Sequence, residues 1–97
     1  MVTVEDIRGA VRAVAPSYDV RSVRLFGSHA AGVATPSSDV DLLVDYGRAP
    51  VSLLTQYGFQ EDVQRALGAK VDILKDPPTN LVFPGFVIGA TVDVYAA

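Results

Sequence analysis

The run Asp39-Val40-Asp41-Leu42-Leu43-Val44-Asp45-Tyr46 constrains the fold most, because it alternates with a period of two. In a strand, that period puts Val40, Leu42 and Val44 on one face and Asp39, Asp41, Leu43 and Asp45 on the other. One face must therefore be covered by other elements while the acids gather on the opposite face. The chain has 97 residues, enough for one core but not two. A single domain over residues 1–97 is the expectation.

The flanking sequence supplies the covering elements. Thr3 and Asp6 form a capping-box pattern ahead of Val4, Ile7, Val11 and Val14, which recur at helical spacing until Pro16. Val20 to Phe26 is rich in strand formers and stops at Gly27. Ser28 to Ala34 can form only a short helix, and residues 35–38 read as a loop. Val51 to Leu67 reads as a helix through Leu53, Leu54, Tyr57, Val63 and Leu67, closed by Gly68. Lys70 to Leu74 is a third strand. Residues 79–90 suggest an irregular helix broken by Pro84 and Gly85, and Thr91 to Tyr95 a last strand. This order predicts an α/β (α+β) fold: a small mixed β-sheet with helices packed on one face.

Charge and composition exclude several functions. Eight Lys and Arg against eleven Asp and Glu give a net charge of -3, so no positive field attracts nucleic-acid backbones and direct nucleic-acid binding is not expected. The chain has no cysteine and one histidine, which removes disulfides, thiolate sites and multi-histidine metal shells. No run reaches the ~18 apolar residues of a membrane span, and no signal pattern opens the chain. A cytoplasmic protein is expected.

The chemistry centres on Asp39 and Asp41. Their carboxylates leave one strand face with backbones roughly 6–7 Å apart. Such a pair suits a hard cation, Mg²⁺ or alternatively Mn²⁺, whose remaining ligands are waters and phosphate oxygens. Asp72 lies between Val71 and Ile73 and can reach the same spot from a neighbouring strand, making a two-metal site possible. Gly27-Ser28, at a strand end before a short helix, lets backbone amides and a hydroxyl approach a phosphate. Ser38 either closes the turn before Asp39 or touches phosphate, and is carried as a nucleotide-binding candidate. His29 reads as a solvent-satisfied residue on a short helix, and Asp45 as a solvent-facing acid. Arg24 lies on a strand leading to the site. Tyr18, Tyr46, Tyr57 and Tyr95 read as packing residues.

Gly27-Ser28, ten intervening residues and Asp39-Val40-Asp41 resemble the signature of the DNA polymerase β-like nucleotidyltransferases, and the short chain is similar to the minimal nucleotidyltransferases. The resemblance covers about residues 3–76. It implies the nucleotidyltransferase fold and metal-dependent transfer of a nucleoside monophosphate from ATP or another NTP to a hydroxyl. Gly27 and Ser28 would bind the triphosphate, Asp39 and Asp41 the metals, and Asp72 would be the third carboxylate preparing the acceptor. It further implies an antitoxin that adenylylates a tyrosine of a partner HEPN toxin. Two departures stand out. The family's common Gly-Ser-x-Ala-Arg-Gly run has Ala31 in place of arginine, and the apolar run Phe83 to Gly89 replaces a charged amphipathic helix. They leave open an alternative, a catalytically weak module that neutralises its partner by stoichiometric binding. Modification of a small molecule such as an aminoglycoside, and templated polymerisation, fit less well because each needs a further domain.

Overall fold

A computed structural model describes residues 2–47, 50–75 and 89–97. Helix α1 (Val4–Val14) starts as its sequence predicts. Asp6 N donates to Thr3 Oγ1 and Thr3 N donates to Asp6 Oδ2, each at 3.0 Å, which satisfies two amides that the helix cannot reach. Strand β1 (Ser22–Phe26), the one-turn helix α2 (Ser28–Ala31) and strand β2 (Val40–Asp45) follow. Helix α3 (Leu53–Leu67) is capped by Ser52 at its start and by left-handed Gly68 at its end. Strands β3 (Val71–Lys75) and β4 (Val92–Ala96) complete the described elements. The expected irregular helix over 79–90 and the apolar run from Phe83 lie outside the described residues, save for Gly89 and Ala90.

The sheet order is β3-β2-β1-β4. β1 pairs antiparallel with β2 and β4, whereas β2 and β3 run parallel, as a strand–helix–strand connection through α3 requires. The sheet is therefore mixed, as expected. Ile7 and Val11 of α1 and Phe59 and Val63 of α3 pack on one face, against Val23, Leu25, Val40, Leu42, Val44, Val71 and Val94. Burying each such side chain contributes ~1.5–3 kcal/mol. This apolar layer fixes the register of β2, because a one-residue slip would turn its aspartates into the core.

The buried side of α3 differs from the expectation. Leu53, Leu54 and Tyr57 are 69%, 83% and 61% exposed, whereas Phe59 and Val63 are fully buried. Phe59 sets the helix's rotation by packing edge-on against two tyrosines, Tyr18 at 5.5 Å and Tyr46 at 6.5 Å between ring centroids. Tyr18 and Tyr46 are thus packing residues as expected, and Tyr57 is not. Among the described residues, no helix is long and apolar enough to cross a membrane.

Candidate functional site

The site forms where β1 ends and β2 begins. In the antiparallel register Phe26 faces Asp41, and in the parallel register Asp41 faces Asp72. Neighbouring strands lie ~4.8 Å apart and paired residues share a face, so Asp41 stands between the Gly27 turn and Asp72. Asp39 precedes Asp41 by two residues on the same face. The sheet thus brings together Gly27, Ser28, Asp39, Asp41 and Asp72, five of the six residues singled out from the sequence.

Gly27 is required here by its neighbour as well as by its backbone. Its φ of 76° and ψ of -152° suit a residue without a side chain. A Cβ at this position would lie 3.2 Å from Asp41 Cγ and 3.4 Å from Asp41 Cβ, with Oδ2 closer still. The Asp41 carboxylate therefore packs directly on the backbone of the turn that opens α2.

The acids influence one another. Burial raises the Asp41 pKa above the usual carboxylate value, the negative charges of Asp72 and Asp39 raise it further, and His29 partly offsets them. Asp72 is exposed on the edge strand. Asp39, with a side chain 38% exposed, accepts an ion pair from Lys70 at 3.5 Å. Like charges on one partly desolvated face favour a cation, and every candidate donor is a carboxylate oxygen. Among the described residues, no three such groups already close into a cage. Two carboxylates on one face are the number of protein ligands that Mg²⁺ commonly takes, with waters and substrate phosphates completing its shell.

The remaining candidates find other surroundings. Ser38 Oγ accepts from Thr35 N at 2.9 Å, and Ser38 N donates to Thr35 O at 3.0 Å, so its hydroxyl closes the turn before Asp39. Asp45 Oδ1 accepts from Gly47 N at 2.7 Å and closes the turn after β2. Arg24 lies on β1 opposite Leu43 and Asp93. Ala31, where the family carries arginine, is exposed at the end of α2. His29 is not at the surface: it is 8% exposed, with Nδ1 3.2 Å from the Asp39 carbonyl oxygen. α2 folds back against the ends of β1 and β2, which turns its second residue inward. Lys70 was not anticipated at the site, because only the parallel pairing of β2 with β3 brings it beside Asp39.

The model of the nucleotidyltransferase domain matches residues 4–93. The chain belongs to the nucleotidyltransferase domain family. This nucleotidyltransferase is 36% identical over 78 residues to the protein adenylyltransferase MntA of Thermococcus cleftensis, covering 76% of the chain and 78% of that relative. Its fold matches a chain of a toxin–antitoxin crystal structure with AMP-PNP at a TM-score of 0.70 and 19% identity, over 97% of this chain and 73% of that one. A complex of a tri-AMPylated Shewanella oneidensis HEPN toxin with its MNT antitoxin matches at a TM-score of 0.68 and 13% identity, over 98% and 74% of the two chains.

Proposed function

We propose that this nucleotidyltransferase moves AMP from ATP to a tyrosine hydroxyl of a partner HEPN toxin and so acts as an antitoxin. The observation that carries the reading is the Asp41 carboxylate, packed on the Gly27 turn and set in register with Asp72, with Asp39 two residues before it. The adenylyltransferase relative, together with the solved toxin–antitoxin complexes of the same fold, supports the choice of nucleotide and acceptor. The same reading takes residues 1–97 as one catalytic domain and, because the reaction draws on ATP, assigns it to the cytoplasm.

In this mechanism Gly27 and Ser28 receive the triphosphate, using the opening amides of α2, which have no partner further up the helix. Asp39 and Asp41 would hold Mg²⁺, which supplies charge neutralisation on the phosphates and acidifies the attacking hydroxyl. Asp72, exposed at the sheet edge, takes the proton as the tyrosine oxygen attacks the α-phosphorus. The bond from that phosphorus to the bridging oxygen breaks, and pyrophosphate leaves.

The test is transfer of label from each α-labelled NTP, with Mg²⁺, into the partner protein and into host-cell extract. Aspartate-dependent, protease-sensitive label from ATP supports the reading, and nuclease-sensitive label moves the acceptor to RNA. Ala31 favours a second reading, neutralisation by binding alone. An Asp39→Asn/Asp41→Asn protein that still silences the toxin in cells at equal expression would establish it.

A further inference from the structure

Asp39 stands beyond the paired part of the sheet on both sides, by one residue toward β3 and by two toward β1. Toward β3, the last tie is Val40 N donating to Lys70 O at 2.9 Å. Toward β1, the ladder ends at the Phe26–Asp41 pair. Continued by two residues, that antiparallel register would set residue 28 opposite Asp39, but at residue 28 the chain has already turned into α2. The peptide joining Asp39 and Val40 is trans, so its carbonyl points away from β3, toward the place a β1 amide would have occupied. His29 Nδ1 fills that place, 3.2 Å from the Asp39 oxygen, on a ring that is 8% exposed. A carbonyl can only accept, so Nδ1 carries the hydrogen and the ring is the Nδ1–H tautomer or is doubly protonated.

We infer that His29 is a positioning residue: its imidazole replaces the missing strand amide and fixes the backbone of Asp39, and with it the angle between the two carboxylates of the Asp39-Val40-Asp41 pair. This rests on the reading of those aspartates as metal holders. Groups that orient a ligand from behind typically change metal affinity 10–100-fold when removed.

The experiment is Mn²⁺ titration followed by electron paramagnetic resonance, with thermal melts of each protein. His29→Leu keeps the apolar volume and loses the donor; it should loosen Mn²⁺ by about 10-fold or more. His29→Asn places an amide nitrogen where Nδ1 was and should recover nearly wild-type affinity. His29→Gln, whose amide corresponds to Nε2, should not, so the Asn and Gln pair decides the matter even if the leucine variant fails to fold. Wild-type affinity in His29→Gln, or equal loss in the Asn and Gln variants, overturns the inference. In the metal-free protein, nitrogen-15 chemical shifts should show a protonated Nδ1, and the Nε2–H tautomer would overturn it without reference to metal. Absence of Mn²⁺ binding to the wild type, or binding unaffected by Asp39→Asn/Asp41→Asn, instead removes the metal reading itself.

Discussion

Replacing Gly27 with alanine separates two demands that the site places on one residue. The first is conformational: φ of 76° with ψ of -152° is a region nearly reserved for glycine, and holding another residue there costs of order 1–3 kcal/mol. At about 4–8 °C per kcal/mol for a domain of this size, the melting temperature should fall visibly. The second is steric: the added methyl would lie 3.2 Å from Asp41 Cγ and overlap Oδ2. The carboxylate must move by on the order of 1 Å, and displacements of that size can cost about 10²-fold in rate. Gly32→Ala provides a partial comparison: Gly32 shares the φ of 76° but has ψ of 20°, the left-handed region that other residues adopt at lower cost, and a Cβ there meets nothing within 4 Å. Initial rates of AMP transfer, measured well below each variant's melting temperature, should fall about 100-fold for Gly27→Ala and little for Gly32→Ala. A folded Gly27→Ala protein working at the wild-type rate would refute the steric reasoning. Equal losses in the two variants would show that the contact with Asp41 adds nothing to the effect.

Because burial and the neighbouring acids raise the Asp41 pKa, the folded chain binds that proton more tightly than the unfolded chain. Metal-free stability should therefore decline as pH rises from about 4 through the raised value. Asp41→Asn should lose transfer yet melt higher than the wild type at pH 7 and alongside it near pH 3; thermal scans at both pH values check this, and a lower melting temperature at pH 7 would contradict it. Tyr46 is 5% exposed, its hydroxyl has no hydrogen-bond partner among the described residues, and burial pushes its pKa up to about 12. An unsatisfied buried group costs about 1–3 kcal/mol, so Tyr46→Phe should raise the urea midpoint, whereas a decrease would point to a hidden partner. Phe59→Ala removes the ring that α3 sets against Tyr18 and Tyr46 and should cost ~3–5 kcal/mol, a large share of the ~5–15 kcal/mol of a small domain, as equilibrium urea unfolding can measure.

Local rules made much of this fold readable. Thr3 and Asp6 announce the start of α1, Gly68 the end of α3, and the alternation around Asp41 both the strand and the face on which the acids gather. The spacing of Gly27-Ser28 to Asp39 pointed to the candidate site through its resemblance to the nucleotidyltransferase signature, and the turn does pack on the strand that follows it. What stayed hidden depends on pairing. Nothing local says that β2 and β3 run parallel with Asp41 beside Asp72, or that Lys70 then falls next to Asp39. Nor does hydrophobicity say which side of α3 meets the sheet: Leu53, Leu54 and Tyr57 are as apolar as Phe59 and Val63, yet only the latter are covered. His29 was misjudged for the same reason, since its burial comes from how α2 folds back over the strands.

The parallel pairing of β2 with β3 also governs when the site comes into being during folding. A hairpin such as β1–β2 closes over a short separation, but Asp72 reaches Asp41 only after the chain has travelled the length of α3 and returned, a closure whose entropic cost is met late by non-local contacts. A partly folded molecule can thus own the Gly27 turn and both Asp39 and Asp41 while lacking Asp72. On the proposed function, catalytic competence then belongs to the completed sheet, and denaturant should convert fully active molecules into inactive ones without a weakened population between them.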